Sequence, residues 1–484
     1  MHFCSTSGDS DSALVFDCGT DIIVIGSGFA GLAAAIEAAE SGAKVQVLEK
    51  MMAPGGNSAI SDGGIAAPGT TYQADVGISD SSDQMYQDMM AAGEGMNYPD
   101  LVKTVTEGAR DAFLWSRDHL NVKYKNRVDI FGGHSVARCY TPETISGVAI
   151  IKRQLARLKE LKVPIRLGIF VKALIQDETG RVTGVRIING YRYGKLNHGA
   201  ERTLTAAKAV IVASGGFGSD VAFRKAQDPR LDSTFMSTNK PFATADILKE
   251  CLRIGANPVQ LSHIQLAPWT SPDEKGAGAA PLFGDYVVLP YGLIVDPETN
   301  KRFVNELTDR KNLAESILKR SHPVIGIADE TGVQTAGWDL ARALNKGVVK
   351  TYNTPEKLAQ AYAMEPDALQ ATLTRFNHLI QAGNDEDFQK PILKEAAPLN
   401  QPPFYAMRIW PKVHHTMGGV QIDTSARVIH RDQHPISGLY AAGEVTGGIH
   451  GACRLGSCAV TECLVMGRIA GKKASYESIP FHLP

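Results

Sequence analysis

The order of hydrophobic and polar positions predicts a βαβ unit near the start of the chain. Residues 22–25 form a short, wholly apolar run, which is typical of a buried parallel strand. Residues 29–41 are rich in alanine and predict a helix, and the apolar positions of residues 44–48 predict a second strand. Because parallel strands joined by a helix form sheets covered on both faces, this pattern predicts an α/β fold.

Later segments extend the same mixture of helices and strands. Apolar residues three and four positions apart predict helical structure over residues 82–119 and an amphipathic helix over 148–161. Short alternating runs over residues 165–188, with a turn at 177–180, predict a β-hairpin or meander. Residues 208–217 form another apolar run that ends in glycines, and they predict a second buried strand of the main sheet.

The middle of the chain differs in composition from both ends. Prolines, aromatic residues and charges mix between residues 268 and 399, with helical patterns at 312–319, 355–364 and 366–382. The C-terminal part becomes glycine-rich again and ends in a predicted helix over 459–475. We therefore predict an N-terminal arm at 1–20, a sheet domain split into 21–262 and 400–484, and an inserted α+β unit at 263–399. A cleft between the two units is the expected place for ligands.

Length and charge restrict the class of protein. A chain of 484 residues is too long for one ordinary domain. Its formal net charge of -1 provides no basic surface for nucleic acid or for an anionic membrane. No apolar run approaches the length of a membrane span. Residues 1–20 lack the basic start and apolar centre of a signal peptide, so we expect a cytoplasmic protein, or a periplasmic one if a leader was removed.

The seven cysteines form no familiar cofactor or metal motif. The chain has no C-x-x-C-H haem-attachment motif and no paired C-x-x-C spacing, so no metal site is predicted. This favours reduced thiols and the absence of an electron-carrier domain. Cys453 and Cys458 have the spacing of a redox-active pair, but no second nucleotide fingerprint accompanies them, so we expect small packed thiols there.

The first βαβ unit contains a dinucleotide-binding fingerprint. Gly26, Gly28 and Gly31 supply G-x-G-x-x-G between the first strand and the helix. The first glycine permits a tight turn, the second lets the backbone approach a pyrophosphate, and the third lets the helix pack closely on the strand. Glu49 follows the second strand at the spacing of a carboxylate that binds a ribose hydroxyl. The glycine-rich residues 53–70 predict a loop around another part of the cofactor.

Three further motifs place basic residues among glycines and other small residues. Residues 413–419 read VHHTMGG, residues 449–456 read IHGACRLG, and residues 302–311 read RFVNELTDRK. Arginine and histidine together can bind a carboxylate through charge-assisted hydrogen bonds. The chain has neither G-x-S-x-G nor H-E-x-x-H, so hydrolytic chemistry lacks a nucleophile or a metal.

Taken in order, these segments resemble the soluble fumarate reductase flavoprotein family. That family includes the flavin domain of flavocytochrome c fumarate reductases and urocanate reductase, and it is related to the flavoprotein subunit of succinate dehydrogenase. Besides the fingerprint, the resemblance rests on GGNS at 55–58, VASGGF at 212–217, STN at 237–239, RFVNE at 302–306, HHTMGG at 414–419 and GEVTGGIHGACRLG at 443–456. It extends from about residue 21 to residue 471.

The resemblance implies a Rossmann-like FAD-binding domain split in sequence, an inserted α+β capping domain, and reduction of a carbon–carbon double bond conjugated to a carboxylate. In this family a hydride passes from flavin N5 to the β-carbon, and an arginine protonates the α-carbon. Arg310 matches that arginine, and His414 and Arg454 match the groups that hold and polarise the substrate carboxylate. No histidine stands on the 55–58 loop for a covalent flavin link, so FAD is expected to bind non-covalently.

The resemblance also implies which residues bind FAD. His415 matches a histidine near the flavin, and Asn57 and Ser58 fall on the loop beside the flavin ring. The full set of expected cofactor-binding residues is Gly26, Gly28, Ala30, Gly31, Glu49, Lys50, Gly56, Asn57, Ser58, Gly63, Gly64, Val171, Ala213, Gly215, Asp246, His415, Glu444, Ala459 and Val460.

Two departures from the family restrict the substrate. Fumarate reductases have a histidine before a proline, in a sequence such as IQAHP, to bind a second carboxylate, whereas this chain has Ala267 in IQLAP. Fumarate itself is therefore not the expected substrate. Upstream of Arg310, the chain has Asp285, Tyr286 and Leu289 where the family has a threonine, a glutamate and a proton-relaying arginine. Either Asp285 and Tyr286 bind substrate or deliver protons, or local gaps break the comparison.

We therefore expect an FAD-dependent reductase of an acrylate-type α,β-unsaturated carboxylate, such as urocanate or another substituted acrylate. Its electrons would come from a separate donor: a cytochrome, a flavoprotein or a reduced nicotinamide-linked protein. Two alternatives stay open. One is a flavin dehydrogenase or oxidase of the 3-ketosteroid dehydrogenase or L-aspartate oxidase type, and the other is a non-catalytic flavin electron-transfer subunit.

Overall fold

The computed structural model describes residues 19–195 and 198–478. The predicted N-terminal arm lies outside these residues except for Gly19 and Thr20, and so do Cys4 and Cys18. In the described part, no helix is both long enough and apolar enough to cross a membrane.

A six-stranded sheet forms the centre of the sheet domain. The predicted first strand, Ile22–Ile25, pairs in parallel with Val45–Glu49 on one side and with Ala209–Val212 on the other. Pro435–Ala441, from the C-terminal part of the chain, pairs in parallel with Ala209–Val212. This confirms the α/β fold with a parallel sheet, and it shows that two segments distant in sequence build one sheet.

The strands follow one another along the chain as a series of mostly short elements. They are β1 Ile22–Ile25, β2 Val45–Glu49, β3 Ile65–Ala66, β4 Cys139–Tyr140, β5 Ile165–Leu167, β6 Ile169–Gln176, β7 Val182–Asn189, β8 Ala200–Thr205, β9 Ala209–Val212, β10 Pro258–Val259, β11 Ile264–Ala267, β12 Leu293–Val295, β13 Val324–Asp329, β14 Lys350–Tyr352, β15 Phe404–Ile409, β16 Lys412–Thr416, β17 Gly419–Gln421, β18 Arg427–Ile429, β19 Pro435–Ala441 and β20 Thr446–Gly447. The order across the main sheet is β18-β19-β9-β1-β2-β5.

The helices cover the main sheet and form much of the inserted unit. They are α1 Phe29–Glu40, α2 Thr71–Asp75, α3 Ser82–Ala92, α4 Pro99–Leu114, α5 Val148–Glu160, α6 Val221–Gln227, α7 Asp246–Arg253, α8 Ala280–Phe283, α9 Leu289–Tyr291, α10 Arg310–Leu318, α11 Glu330–Ala336, α12 Ala341–Asn345, α13 Pro355–Ala361, α14 Pro366–Ala382 and α15 Cys458–Ser475. Short π-helical turns occur at Trp115–His119 and Gly284–Val288.

Small residues allow α1 and α15 to pack unusually close together. A Cβ atom added at Gly467 would lie 2.5 Å from the backbone oxygen of Ala30, and one at Gly471 would lie 2.1 Å from that of Ala34. Any larger side chain at these two positions would push α15 away from α1. The close contact fixes the N-terminal part of α1, which Gly26 and Gly28 precede.

The stretch predicted to be helical, residues 82–119, is divided into separate helices. It consists of α3 and α4, followed by a π-helical turn. Gly93 ends α3, Gly95 has a φ of +68°, and Pro99 begins α4. A left-handed glycine and a proline without a backbone N–H end one helix and start another, and the apolar spacing alone does not show this.

The predicted hairpin or meander at residues 165–188 is present from residue 169, whereas residues 165–167 form β5 and pair in parallel with β2 in the main sheet. β6 and β7 pair in antiparallel fashion around the predicted turn, and β8 adds a third strand. Most of β8 is exposed, so it lacks the alternating apolar pattern that would have predicted it.

The inserted unit has its own antiparallel sheet, in the order β12-β13-β15-β14. One face of this sheet packs with α13 and α14 around a separate apolar cluster that includes Leu369, Phe376 and Phe404. β15, at Phe404–Ile409, pairs with both β13 and β14. The sheet of the inserted unit therefore extends beyond residue 399, where the sequence placed the end of that unit.

Candidate active site

Two adjoining cavities lie along the carboxyl ends of the main parallel strands. The smaller, of about 130 Å³, is bordered by the first two fingerprint glycines, Gly26 and Gly28. The larger, of about 370 Å³, lies between the sheet domain and the inserted unit. Both are bordered by Phe29, Asn57, Ser58, Glu444 and Cys463, so they form one elongated cleft. Its shape suits a long ligand with its reactive end under the inserted unit.

The smaller cavity has the features of a pyrophosphate site. The helix α1 starts there, and Gly28 before it provides no side-chain cap for the first-turn N–H groups. A Cβ added at Gly215 or at Gly56 would meet no atom within 4 Å, although both glycines border the cleft. The backbone is therefore bare where a phosphate or sugar would approach, which fits a dinucleotide cofactor.

Two acidic residues of this cavity are held by local hydrogen bonds. The carboxylate of Glu49 accepts from the hydroxyl of Ser27 at 2.5 Å and from the backbone N–H of Met51 at 2.9 Å. Oε2 also accepts from the backbone N–H of Ser27 at 3.2 Å, whereas Oε1 accepts only the Met51 bond and can still accept another from a ribose hydroxyl. Lys50 forms an ion pair with Asp246 at 3.3 Å. The Ser27–Glu49 hydrogen bond and the Lys50–Asp246 ion pair join the end of β2 and the residue after it to neighbouring segments at the edge of the cleft.

Most of the cofactor-binding residues expected from the sequence border the cleft. Those that do are Gly26, Gly28, Ala30, Glu49, Lys50, Gly56, Asn57, Ser58, Gly64, Val171, Ala213, Gly215, Asp246, His415, Glu444, Ala459 and Val460. Gly31 and Gly63 do not. A Cβ at Gly31 would lie 2.1 Å from the oxygen of Gly26, and one at Gly63 would lie 3.0 Å from the backbone of Gly147. These two glycines allow close packing behind the cleft. Contact with the cofactor stays a prediction for the whole set.

A chain of amide groups crosses from the glycine-rich loop to the histidine motif. The side-chain N–H of Asn57 donates to the carbonyl oxygen of Asn239 at 2.5 Å, and Asn239 donates to the backbone oxygen of His414 at 2.9 Å. The backbone N–H of Lys240 donates to Asn57 at 2.8 Å. Thr238 and Asn239 of the STN motif both border the larger cavity, although neither was predicted as a site residue from the sequence.

His414 and His415 are adjacent in β16, and both border the larger cavity. Burial and the nearby charges of Arg454 and Arg310 lower the pKa of His414 well below its usual value. Burial, followed by the charge of Arg454, has the same effect on the pKa of His415. Both imidazoles are therefore neutral at pH 7. Nδ1 of His414 shares a hydrogen bond with the hydroxyl of Thr238 at 2.8 Å.

Arg454 is a buried cation without a carboxylate partner among the described residues. Its side chain donates to the backbone oxygen of Leu455 at 3.1 Å, and its Nε has no partner. Burial and the charge of Arg310 lower the pKa of Arg454 to about 10, which still leaves it charged at pH 7. A buried cation without an anionic partner raises the free energy of the folded protein, so the part of the cavity beside Arg454 is suited to an anionic ligand.

Arg310 is the first residue of α10, and Asp309 caps that helix. Its guanidinium donates to the carboxylate of Asp285 at 3.2 Å and stacks on the ring of Trp269, 4.0 Å from the ring centre. Arg310, Asp285 and Trp269 are all buried and border the same cavity. The ion pair and the ring contact hold the guanidinium in one orientation on the side of the inserted unit that faces the cavity.

Asp285 and Tyr286 lie next to each other in the π-helical turn Gly284–Val288, and both border the cavity. Burial raises the pKa of Asp285 to about 6, despite the opposing effect of Arg310. Tyr286 donates from its hydroxyl to the carboxylate of Asp62 at 2.6 Å. Sequence reasoning missed Asp62 and Trp269, because neither belongs to a motif that carries basic residues.

Ala267 does not border the cavity. It is fully buried in β11, opposite Lys412 of β16, and Trp269 borders the cavity instead.

Cys453 and Cys458 are both free, buried thiols, and the amide of Gln265 contacts the sulfur of Cys453 at 3.2 Å.

Comparisons with known proteins agree with this geometry. The family described as "FAD binding domain" matches residues 21–460. The acrylate reductase flavoprotein subunit of Shewanella woodyi is 38% identical over 475 residues, covering 96% of this chain and 93% of that protein. The urocanate reductase of Eggerthella lenta is 33% identical, covering 94% of this chain and 74% of that protein. The open conformation of a flavocytochrome c3 fumarate reductase superposes with a TM-score of 0.73 at 30% identity, covering 94% of this chain and 78% of that one.

Proposed function

The chain belongs to the FAD-binding domain family and is an FAD-dependent oxidoreductase acting on CH–CH groups, and from this premise we propose that it reduces the double bond of an α,β-unsaturated monocarboxylate. The substrate would be acrylate or a substituted acrylate without a second carboxylate. The acrylate reductase flavoprotein subunit at 38% identity and the urocanate reductase at 33% support the coarse reaction, reduction of an unsaturated carboxylate.

The observation that carries the proposal is the state of Arg454. Its guanidinium is buried, charged at pH 7, without an acidic partner among the described residues, and beside the cavity. A substrate carboxylate would supply the missing anion through charge-assisted hydrogen bonds. His414 borders the same cavity, and its imidazole is neutral because burial lowers its pKa. When the Thr238 hydroxyl donates to Nδ1, the Nε2–H of His414 is free to donate to the same carboxylate.

These two residues would do more than bind. Reduction of an acrylate at its β-carbon moves negative charge toward the carboxylate, so donors fixed there stabilise the transition state more than the ground state. When bound and reduced, FAD supplies the hydride equivalent for this reaction. The protein contributes the pre-positioned cation and donor in a cavity that the inserted unit shields from water.

Arg310 is the residue we assign to protonate the α-carbon. An arginine holds its proton strongly, so it would act only at short range on a carbon that is developing negative charge. The Asp285 ion pair and the Trp269 ring hold the guanidinium at the cavity wall. Asp285 is also the nearest acid from which Arg310 could regain a proton, because the two groups are already hydrogen-bonded.

Electrons would reach the cofactor from a separate protein. The acrylate reductase relative is named as a flavoprotein subunit, which supports a partner that carries electrons. The chain has no haem-attachment motif and one nucleotide fingerprint. A cytochrome, a flavoprotein or a nicotinamide-linked reductase would each meet this need.

Anaerobic half-reactions test the proposal directly. The purified protein is reduced without oxygen, and flavin reoxidation is followed by absorbance while acrylate, methacrylate, cinnamate, urocanate, itaconate and fumarate are added one at a time. Reoxidation by acrylate or another monocarboxylate, and not by its saturated counterpart, is the expected result. Reoxidation only by a ketosteroid, an imino acid or a redox protein would instead support the dehydrogenase, oxidase or carrier alternatives. The two buried arginines of the cavity already argue against an apolar steroid site.

A further inference from the structure

The larger cavity is lined by charged groups of both signs. Arg310 and Arg454 are buried cations of its wall, and Asp62 and Asp285 are acids of the same wall. Asp285 is ion-paired with Arg310, and Tyr286, the residue after Asp285, is hydrogen-bonded to Asp62. One acid of the cavity therefore has a cationic partner, whereas the other is bonded to a neutral phenol.

Asp62 comes from the sheet domain, in the glycine-rich loop, whereas Asp285 and Tyr286 come from the inserted unit. One oxygen of its carboxylate accepts from the backbone N–H of Gly64 at 2.9 Å, and the other accepts from the Tyr286 hydroxyl at 2.6 Å. Burial, followed by the charge of Asp62, raises the pKa of Tyr286 well above its usual value, so the phenol keeps its proton. Tyr286 is a neutral donor and does not cancel the charge of Asp62.

The two acids differ in how their charge is balanced. Asp285 has a guanidinium at 3.2 Å. Within residues 19–195 and 198–478, Asp62 has hydrogen-bond donors but no ion pair with lysine, arginine or histidine. Its negative charge therefore acts on whatever lies in the cavity next to it. A low-dielectric, partly closed cavity strengthens this effect compared with water.

We propose that Asp62 is a specificity-determining residue that excludes substrates with a second carboxylate. This inference rests on the proposed function, because it assumes that one carboxylate is bound at Arg454. A monocarboxylate bound there, with its double bond beside Arg310, presents only hydrogen or a neutral group to Asp62. A dicarboxylate in the same orientation brings its second anion toward Asp62, which has no ion pair of its own among the described residues.

The Nε of Arg454, which has no hydrogen-bond partner, provides a second reason for the substrate carboxylate to bind at this residue. Only 5% of the surface of Arg454 is exposed, and the residue has no anionic partner among the described residues. Arg310 is already ion-paired. A substrate carboxylate is thus attracted to Arg454 and kept away from Asp62, so charge alone selects both the direction of binding and the number of carboxylates.

The test compares acrylate with fumarate in the FAD-loaded wild-type protein and in Asp62→Asn. Asparagine keeps the size of the side chain and one oxygen acceptor while removing the charge. We expect kcat/KM for acrylate to change by about twofold or less, and kcat/KM for fumarate to rise roughly tenfold or more. A parallel change with both substrates, or no gain with fumarate, would overturn the proposal.

A matched control is Asp339→Asn, because Asp339 also borders the cavity but is exposed to solvent. Its charge is screened by water, so selectivity should stay as in the wild type. An equal gain of fumarate activity in Asp339→Asn would show that overall charge, and not Asp62, sets the selectivity, and would overturn the assignment.

A binding measurement separates this proposal from the function on which it rests. Propionate and succinate are titrated into the oxidised, FAD-loaded protein, and the flavin absorbance change reports binding without turnover. If Asp62 excludes the second charge, Asp62→Asn tightens succinate binding roughly tenfold and leaves propionate unchanged. Unchanged succinate binding overturns the proposal even where acrylate is reduced. Failure of every enoate to reoxidise the flavin, with tighter succinate binding in the variant, would sink the proposed reaction and not the charge exclusion.

Discussion

The guanidinium of Arg310 donates to the carboxylate of Asp285 at 3.2 Å, and both side chains are buried at the wall of one cavity. Asp285 lies in a π-helical turn and Arg310 starts a helix, so the inserted unit supplies both partners. The pair balances the charge of Arg310, whereas Arg454 is a buried cation of the same cavity that has no acidic partner among the described residues. This division of charge is the basis of the predictions below.

Replacing Arg454 with methionine should separate binding from stability. Removal of the cation that holds the carboxylate should lower kcat/KM for the best enoate roughly 100-fold or more. The same change removes an unpaired buried charge, so the free energy of unfolding of the substrate-free, FAD-loaded protein should rise by about 1–3 kcal/mol. Steady-state kinetics and denaturant unfolding measure the two effects. Arg342→Gln is the control, because Arg342 borders the cavity but is exposed, and it should change neither quantity appreciably.

Arg310→Gln should abolish turnover while the protein stays yellow. Glutamine keeps a polar side chain but has no acidic proton to give, so reduction of the double bond should slow roughly 100-fold or more. Electron uptake from an artificial donor should continue, as flavin absorbance at each stage would show. The neighbouring residue Lys311 provides a control, because it is half-buried, ion-paired with Glu94 and outside the cavity wall, so Lys311→Gln should keep turnover. Enoate reduction at the wild-type rate in Arg310→Gln would mean that another group supplies the proton.

The pH dependence of stability should reveal Asp285. Its pKa is raised to about 6 in the folded protein by burial, so the folded state binds this proton more tightly than the unfolded state. The resulting stabilisation is fully present below the ordinary pKa of an aspartate and is lost as pH rises through about 6. Compared with Asp285→Asn, the wild type should therefore lose about 2 kcal/mol of unfolding free energy between pH 4 and pH 7. A constant difference between the two proteins over this range would contradict the shifted pKa.

Gly215→Ala should weaken FAD binding through the space that it fills. The new methyl group meets no protein atom within 4 Å, but it enters the cleft. Gly42→Ala is a matched control, because Gly42 also has a positive φ and open space around it but lies outside the cleft. Both variants should lose a similar amount of stability from backbone strain. FAD affinity, measured by fluorescence, should fall roughly tenfold in Gly215→Ala alone. Equal affinities in the two variants would place the cofactor elsewhere.

The sequence by itself determined the parts of this protein that depend on neighbours in the chain. Hydrophobic periodicity located the βαβ unit and the helix at 366–382, because side-chain spacing within an element follows from its own geometry. The fingerprint glycines followed from local backbone requirements. The motifs containing Arg310, His414 and Arg454 identified the family and three residues that border one cavity.

Only the tertiary structure decided which distant residues share that cavity and how their charges are balanced. Asp62 and Tyr286 are 224 positions apart, so no local pattern links them. Three features depend on side-chain directions: the pairing of Asp285 with Arg310, the lack of an acidic partner for Arg454 among the described residues, and the presence of Trp269 in place of Ala267 at the cavity wall. The strand at Phe404–Ile409 likewise joins the inserted unit through pairing with β13 and β14. Burial and charge are properties of the assembled fold, because they depend on atoms that packing brings together from separate segments.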